Sequence, residues 1–267
     1  MSFFTKTQIE KIISCAFDAG EIANKFQKSG DFQITKKPDS SNVTSADVVV
    51  SKFINQKLST DFPEIPVICE EGSLREAGDV FWLIDPIDGT NSFIAGSHEY
   101  AVNIALIKNQ KAVFGLIYAP SFEGGKMIFS DHENQVVLQN KLAQKIILKP
   151  QEFNQDRLRI ITSSRTKDAD VANYINQFHQ NFAQKLVVEK LSSAIKFFRI
   201  LENDADLYLH FRKSMEWDTA AGQALIELMG GKVKNLFFSE GVFLVGKKVN
   251  YNKLNFANQP FIASVNL

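Results

Sequence analysis

The chain has 267 residues, which is enough for one large domain or for two lobes that share a core. Its 30 Lys and Arg residues balance 30 Asp and Glu residues, so the composition lacks the basic excess typical of nucleic-acid binding or of a polybasic membrane anchor. The two cysteines, Cys15 and Cys69, are too few for a disulfide framework, and their apolar contexts predict buried thiols in a reducing compartment.

The N-terminus does not resemble a signal peptide. It lacks the charged start and apolar run of a signal peptide, and no stretch of about 18 apolar residues occurs in the sequence. We therefore expect a cytoplasmic protein without a membrane span, either free or held peripherally at the inner membrane.

Two amphipathic helices are predicted in the N-terminal part, with a polar loop between them. Apolar residues recur at helical spacing over residues 5–26, and a second helical pattern begins after Val43. Residues 36–42 have the composition of a loop, and their lysines either lie on a solvated face or approach an anionic substrate. Asp47, near the start of the second helix, fits either a helix N-cap or a site residue that faces Thr90.

Two short apolar runs are each followed by acidic residues. The first predicted strand, Val67–Cys69, leads into Glu70 and Glu71, which would point to opposite faces, so we expect only one of them to join a cluster. The second, residues 81–84, leads into the hexapeptide Asp-Pro-Ile-Asp-Gly-Thr at residues 85–90. Proline lacks the N–H of the sheet ladder, so we expect this strand to end there.

These strand ends have two interpretations. Ligands in layered α/β folds bind beyond the carboxyl ends of strands, which makes the acids candidate site residues. Alternatively, Asp, Pro and Gly serve only the local conformation of a turn.

The next part of the chain has the period of β-strands. An antiparallel meander is predicted over residues 100–107, 112–118, 126–130 and 135–138. Residues 142–156 have the composition of a connector. This predicts a boundary between an N-terminal α+β lobe, residues 1–150, and a C-terminal α/β lobe, residues 151–267.

The C-terminal lobe alternates strands and helices. Strands are predicted over residues 158–161, 185–188 and 205–211, and helices over residues 168–178, 192–201 and 216–229. Asp218 lies in the first turn of the last helix, where the helix dipole favours an acid even without a catalytic role. After Lys232 the pattern indicates short strands and loops.

Carboxylates from distant parts of the chain would form an unusual cluster if they meet in space; they are Glu70, Asp85, Asp88 and Asp218. Two unit charges about 4 Å apart repel by roughly 4 kcal/mol at an effective dielectric constant near 20, so such a cluster needs protons or cations. Oxygen ligands without His or Cys suit Mg²⁺, and two ions about 3.5–4 Å apart would clamp a phosphate and activate water. Backbone N–H groups after Gly89 would bind phosphate oxygens, and a Thr hydroxyl held by a carboxylate would accept the proton of the water.

Three segments resemble the signatures of the inositol monophosphatase family. They are residues 70–72, residues 85–90 and residues 217–222, the last reading Trp-Asp-Thr-Ala-Ala-Gly. The resemblance extends over residues 8–232. It implies an α/β (α+β layered) fold, the α-β-α-β-α sandwich of inositol monophosphatases and fructose-1,6-bisphosphatases. It also implies a lithium-sensitive phosphatase that uses two or three Mg²⁺ ions.

The family pattern implies a role for each matching position. The metal ligands would be the carboxylates of Glu70, Asp85, Asp88 and Asp218 and the backbone carbonyl of Ile87, with Asp85 bridging two ions. Asp47 and Thr90 match the catalytic pair that activates the attacking water, which favours a site role for Asp47. Gly89 and Thr90 match the phosphate-binding turn, Asp218 counts among the substrate-binding residues, and Glu71 matches a second acid whose role is less fixed.

Within the family, further segments look most like the 3'(2'),5'-bisphosphate nucleotidase (CysQ-like) branch; they are residues 102–107, 115–120, 192–197, 205–208 and 216–221. This resemblance implies a phosphoric monoester hydrolase that removes the 3'-phosphate of 3'-phosphoadenosine 5'-phosphate or of its 5'-phosphosulfate. Lys196 would then contact the second phosphate; the alternative is an exposed helix lysine. The implied partner is a small phosphate ester, and the protein would be a monomer or a homodimer.

Two departures from the branch concern the substrate. Asn91 and Ser92 stand where the branch has Lys-Glu, and Leu191 stands where it has Gly. They keep an inositol monophosphatase, or a phosphatase of another small sugar phosphate, as the alternative. A catalytically silent homologue would lack a metal acid, and all four are present.

Overall fold

The computed structural model describes residues 3–72, 78–153, 155–182 and 185–265. Within these ranges the helices are α1 (Lys6–Ser29), α2 (Ser45–Asp61), α3 (Thr90–Ile94), α4 (Asp168–Phe178), α5 (Ile195–Leu201) and α6 (Glu216–Leu228). Among these described residues, no helix combines the length and the apolar character needed to cross a membrane.

The strands form two large sheets and two small ones. The first half of the chain contributes β1 (Ile34–Lys36), β2 (Asn42–Thr44), β3 (Val67–Cys69), β4 (Val80–Asp88), β5 (Ala101–Lys108), β6 (Lys111–Ala119), β7 (Lys126–Ser130), β8 (Val136–Asn140) and β9 (Lys145–Leu148). The second half contributes β10 (Leu158–Ser163), β11 (Leu186–Leu191), β12 (Leu207–His210), β13 (Ser214–Met215), β14 (Lys232–Ser239), β15 (Val242–Lys248), β16 (Ala257–Asn258) and β17 (Phe261–Ser264).

The large sheets are built from consecutive parts of the chain. The seven-stranded sheet runs from β3 to β9 in chain order, and it is antiparallel except for the parallel pair β3–β4. The six-stranded sheet has the order β11-β10-β12-β17-β14-β15, with β11, β10 and β12 parallel and the remaining pairs antiparallel.

Helices and sheets alternate in five layers. Helices α1 and α2 pack on one face of the seven-stranded sheet around a core that includes Ile12, Ile54 and Trp82. Helices α5 and α6 lie between the two large sheets, and α4 covers the far face of the six-stranded sheet. This is the predicted α-β-α-β-α sandwich. Because α6 contacts both sheets, the two halves share one core, and their division into lobes near residue 150 stays a prediction.

Both N-terminal helices begin with a capping box. Thr5 caps α1 by accepting a hydrogen bond from the backbone N–H of Gln8, and Gly30 ends the helix in the left-handed conformation. The residue that caps α2 is Thr44, so the N-cap role considered for Asp47 is wrong; Asp47 occupies the third helical position and completes a capping box with Thr44.

Two segments predicted to be irregular take part in β-structure. The polar loop at residues 36–42 is the turn of the β1–β2 hairpin, and the predicted connector contains β9. The tail after Lys232, predicted as short strands and loops, contains the β14–β15 hairpin. β9 lies at the edge of its sheet, with Ile146 and Ile147 mostly exposed. Its sequence therefore lacks the burial pattern that marks the inner strands.

The strand β4 does not end at Pro86 but continues to Asp88. Its pairing with β3 stops at Ile84, and its pairing with β5 is irregular between Asp85 and Asp88. Proline is tolerated because it lies where no ladder hydrogen bond is required of its nitrogen.

Candidate active site

Three acids converge where β4 ends and α6 begins. Carboxylate oxygens of Asp85, Asp88 and Asp218 all lie within 4.8 Å of one another. In a regular strand, residues three apart point to opposite faces, so the irregularity in β4 allows Asp85 and Asp88 to share one site. The first turn of α6 supplies Asp218 from the other half of the chain.

Backbone N–H groups fix the three carboxylates. Asp85 Oδ1 accepts a hydrogen bond from the N–H of Ile87 at 3.1 Å, and Asp88 Oδ2 accepts one from the N–H of Ala194 at 2.5 Å. Asp218 Oδ2 accepts a hydrogen bond from the N–H of Met215 at 2.8 Å, as expected for an acid in the third helical position. The acids are therefore oriented by the protein itself.

The cluster carries more negative charge than the protein compensates. Burial, followed by the charges of Glu70, Asp88 and Asp218, raises the pKa of Asp85 well above its usual range. Burial and then the charges of Asp88 and Glu70 raise the pKa of Asp218 in the same way. A concentrated all-oxygen set of this kind fits a hard divalent cation such as Mg²⁺.

Glu70 stands at the margin of this cluster and is paired with Lys37. Lys37 Nζ lies 2.6 Å from Glu70 Oε1 and 2.5 Å from Glu71 Oε1, although side chains in a continuing strand would diverge. The strand ends at Cys69 and the chain turns, so both acids reach the same ammonium group. Lys37 is thus neither a solvated lysine nor free to bind an anionic substrate.

Asp47 and Thr90 meet as the family pattern implies. Thr90 Oγ1 lies 3.4 Å from Asp47 Oδ1 and 3.3 Å from the carbonyl oxygen of Ile87. Asp47 Oδ2 accepts hydrogen bonds from both the N–H and the hydroxyl of Thr44, at 2.7 and 2.5 Å. Burial raises the pKa of Asp47, while the hydrogen bonds from Thr44 lower it. One carboxylate therefore fixes the start of α2 and contacts the Thr90 hydroxyl.

Gly89 forms the turn between β4 and α3. Its φ of +92° is in the left-handed region that favours glycine. A Cβ atom at this position would lie 2.8 Å from the carbonyl oxygen of Glu99 and 2.9 Å from Cβ of Ser193. The turn therefore requires glycine for both its conformation and its space.

Lys196 is buried beneath the same site, which rules out the exposed helix lysine considered above. Its side chain donates a 2.5 Å hydrogen bond to the carbonyl oxygen of Ser193, and its Nζ lies 5.6 Å from the centre of the Tyr208 ring. Burial lowers the pKa of Lys196 to about 8, and the charges of Asp88 and Asp218 oppose this shift.

Glu70, Asp88, Asp218 and Lys196 line a polar cleft of about 290 Å³. Asp85 is buried beside Asp88 and Asp218 and does not line it. The β1–β2 hairpin and α3 contribute neutral groups, including Asn42 and Asn91, whose side chains hydrogen bond to each other at 2.8 Å. The loop after β10 and the turn after β12 contribute Arg165, Arg212 and Lys213. The cleft thus contains a carboxylate cluster, neutral hydrogen-bonding groups and a group of cations.

Several residues of this site were not predicted from the sequence. The amide of Asn103 lies 3.4 Å from both Asp88 Oδ2 and the carbonyl oxygen of Trp217, so it bridges the ends of β4 and α6. The sequence feature that could have identified Asn103 is its polar side chain inside an otherwise apolar predicted strand. Arg165 and Arg212 carried no comparable signal, because exposed arginines in turns are common.

Comparisons with known proteins agree with this geometry. The model of the inositol monophosphatase family matches residues 5–264. The 3'(2'),5'-bisphosphate nucleotidase CysQ of Buchnera aphidicola is 30% identical over 270 residues, covering 97% of this chain and 94% of that protein. The protein of the same name from Escherichia coli K12 is 29% identical over 264 residues, covering 96% and 99%.

Solved structures share the fold. CysQ from Bacteroides thetaiotaomicron superposes with a TM-score of 0.76 at 24% identity, covering 98% of each chain. An IMPase of Thermotoga maritima gives a TM-score of 0.73 at 21% identity, covering 97% of this chain and 92% of that one.

Proposed function

The chain belongs to the inositol monophosphatase family, and we propose that it is a metal-dependent phosphomonoesterase acting on a bisphosphate nucleotide. The substrate would be 3'-phosphoadenosine 5'-phosphate or its 5'-phosphosulfate, and the bond broken would be that of the 3'-phosphate. The observation that carries this proposal is the cluster of Asp85, Asp88 and Asp218, of which Asp88 and Asp218 line a cleft that is also lined by cations. The full-length relatives named as bisphosphate nucleotidases support the choice of substrate.

We propose that the cluster holds two or three Mg²⁺ ions. The residues that would hold them are Asp85, Asp88, Asp218, Glu70 and the backbone carbonyl of Ile87. Bound ions would neutralise the cluster, polarise the phosphate and lower the pKa of a bound water. Glu70 would have to exchange its contact with Lys37 for a contact with an ion.

Asp47 and Thr90 would handle the proton of the attacking water. The Thr90 hydroxyl faces two acceptors, Asp47 Oδ1 and the Ile87 carbonyl oxygen, at similar distances. A hydroxyl that passes its own proton to Asp47 can take up the proton of the attacking water, so that this proton is held in the end by the carboxylate. The Gly89-Thr90 turn would offer its backbone N–H groups to the phosphate oxygens, and Lys196 would add a positive charge beside them.

An inositol or sugar monophosphatase is the second candidate. Asn91 and Ser92, which differ from the nucleotidase branch, line the cleft and are suited to hydrogen bonds with sugar hydroxyls.

We further propose that the protein acts in the cytoplasm, free or peripherally at the inner membrane. We also propose that it is a monomer or a homodimer.

Phosphate release in Mg²⁺ from 3'-phosphoadenosine 5'-phosphate and from inositol 1-phosphate, measured in parallel, tests the proposed function. We expect kcat/KM to be at least about tenfold higher for the nucleotide, the difference made by about 1.4 kcal/mol of additional transition-state binding. Equal values, or a preference for inositol 1-phosphate, would favour the second candidate. Asp85→Asn serves as the control for contaminating phosphatases.

A further inference from the structure

A buried acid lies two residues before Asp218 and takes no part in the cleft. The side chain of Glu216 is fully buried and lies outside the lining of the cleft. Its carboxylate accepts hydrogen bonds from the backbone N–H groups of Asn252, at 2.8 Å, and of Lys253, at 2.9 Å. The ammonium group of Lys253 lies 2.7 Å from the same carboxylate. A buried carboxylate is costly unless it is paired and hydrogen bonded, and these three partners come from one short segment.

Lys253 extends these contacts around the start of α6. Its ammonium group also donates to the side-chain oxygen of Asn258, at 2.8 Å, and to the carbonyl oxygen of Asn250. The amide nitrogen of Asn258 in turn donates to the carbonyl oxygen of Met215, at 3.0 Å, and to the hydroxyl of Thr219, at 2.7 Å. A ring of polar contacts therefore joins this late segment of the chain to the first turn of α6.

Glu216 and Asp218 lie on different sides of that turn. Residues two apart in an α-helix are separated by about 200° around the helix axis, so their side chains do not face each other. The carboxylate of Asp218 lies within 4.8 Å of those of Asp85 and Asp88, whereas the carboxylate of Glu216 contacts Lys253. A charged pair thus holds the turn from behind, while the turn presents a candidate metal ligand in front.

We propose that the ion pair of Glu216 and Lys253 is a positioning pair, which sets the first turn of α6 so that Asp218 can bind a cation. This inference rests on the proposed function, because it takes Asp218 as a ligand of the bound cation. Both residues act through the backbone of the turn and not by contact with the cation or the substrate. Groups that orient metal ligands commonly change the metal affinity by about 10- to 100-fold when they are removed, and a shift of about 1 Å is costly at such a site.

Calorimetric titration of the substrate-free protein with Mg²⁺ tests this role without a catalytic assay. The variants are Glu216→Gln, Lys253→Met and the double variant that carries both substitutions. We expect the apparent dissociation constant of Mg²⁺ to rise by about tenfold or more in each of them. Charge alone predicts a different pattern: loss of the acid would weaken cation binding, loss of the lysine would strengthen it, and the double variant, whose net charge is unchanged, would bind like the wild type.

The double variant also separates positioning from stability. Removing one partner leaves a buried charge unpaired, so the single variants should be strongly destabilised, whereas removal of a whole buried pair is often tolerated. We expect chemical denaturation in EDTA to show the double variant as more stable than either single variant, although its Mg²⁺ affinity stays about tenfold below that of the wild type. A double variant that regains both stability and Mg²⁺ affinity would overturn the proposal, because the pair would then serve stability alone.

An ion pair at the far end of the same helix provides the matched control. Lys248 Nζ lies 2.6 Å from Glu227 Oε2. The double variant Glu227→Gln with Lys248→Met removes this pair and should change the dissociation constant of Mg²⁺ by less than about twofold, since it leaves the first turn in place. A loss as large as that of the Glu216 and Lys253 double variant would overturn the assignment to the first turn.

Failure of the proposed function has a separate signature. If the wild type binds no Mg²⁺ and releases no phosphate from either substrate of the parallel assay, the proposed function is wrong and the positioning role falls with it. If the wild type binds Mg²⁺ and the variants of Glu216 and Lys253 bind it equally well, only the positioning role is wrong.

Discussion

The charges at the floor of the cleft are balanced only in part. Six acids lie in or beside the site, namely Asp47, Glu70, Glu71, Asp85, Asp88 and Asp218, and the cations that face them most directly are Lys37 and Lys196. Lys37 satisfies the two acids at the margin, Glu70 and Glu71. The three acids at the centre rely on backbone N–H groups and, for Asp88 and Asp218, on the charge of Lys196, which explains why they are the part of the site suited to added cations.

Replacing Lys37 with Gln should destabilise the protein in the absence of divalent cations. The ammonium group contacts two carboxylates that are 24% and 11% exposed, and removing one partner of such a contact leaves charge uncompensated. Because the group is partly solvated, we expect a loss of about 1–3 kcal/mol in the free energy of unfolding in EDTA, measured by chemical denaturation. Saturating Mg²⁺ should reduce this loss, since it would neutralise Glu70.

The neighbouring Lys36 provides a matched control. It is an exposed lysine in the same hairpin, so Lys36→Gln should change the free energy of unfolding by less than about 0.5 kcal/mol. A similar loss in both variants would show that hairpin charge in general, rather than the contacts of Lys37, is responsible.

At the residue scale, the sequence predicts the acids better than the cations. Asp85, Asp88 and Asp218 lie in local patterns that specify both their chemistry and their place at an element's end. The partner of Lys37 is 33 residues away and depends on how a two-stranded hairpin packs on the end of β3, which no local pattern reveals. The same holds for Arg212, whose environment exists only after two loops meet.

At the scale of elements, α6 is the part that joins the catalytic acids to the core. It lies between the two large sheets and approaches β6 so closely that a Cβ atom at Gly115 would lie 2.2 Å from the carbonyl oxygen of Ala221. A Cβ atom at Gly222 would lie 2.4 Å from the ring of Phe197 in α5. Small residues in and against α6 thus set the position of Asp218 at its first turn.

The close approach at Gly115 predicts a coupled loss of stability and activity. Gly115→Ala forces α6 and β6 apart, which should cost about 1–3 kcal/mol in the free energy of unfolding. Because α6 carries Asp218, we also expect kcat to fall by about tenfold or more, since misplacement by about 1 Å is costly at a catalytic site. Gly78→Ala is the control, because a Cβ atom there has no neighbour within 4 Å. Unchanged kcat in a destabilised Gly115→Ala would contradict the positioning role of α6.

Elements with strong local signals are predicted well from the sequence, and elements defined by pairing are not. α4 spans the predicted residues 168–178, because its apolar spacing and flanking residues suffice. β4 continues through Pro86 because its pairing with β5 is irregular between Asp85 and Asp88. β9 forms because it pairs with β8 at the edge of the sheet. Such features depend on long-range hydrogen bonds that a single stretch of sequence does not encode.

At the scale of the whole molecule, the acidic cluster opposes folding at neutral pH. The folded-state pKa values of Asp85 and Asp218 lie above the unfolded value of 3.8. The folded protein therefore binds more protons than the unfolded chain between these values, and its free energy of unfolding falls as the pH rises through that window. The half-buried His179 and His210, whose pKa values are lowered by partial burial, act in the opposite direction below about pH 6.5.

A comparison of the wild type with Asp85→Asn isolates the cluster, because the histidine contributions cancel. In EDTA near pH 3.8 the two proteins should have similar stability, since a protonated Asp resembles Asn. As the pH rises, the wild type should become the less stable of the two, and each 1 kcal/mol of difference should appear as about 2–4 °C in Tm.

Divalent cations should reverse this order at neutral pH. Mg²⁺ at about 100 times its dissociation constant would stabilise the wild type by about 2.7 kcal/mol. The Asp85→Asn variant lacks the negative charge of one carboxylate of the cluster, so Mg²⁺ should stabilise it much less. This variant should also not turn over substrate. Thermal unfolding of both proteins between pH 4 and pH 8, with and without Mg²⁺, measures the effect. If the wild type were the more stable protein throughout in EDTA, the charges of the cluster would be satisfied within the protein, and cation binding would not be what relieves them.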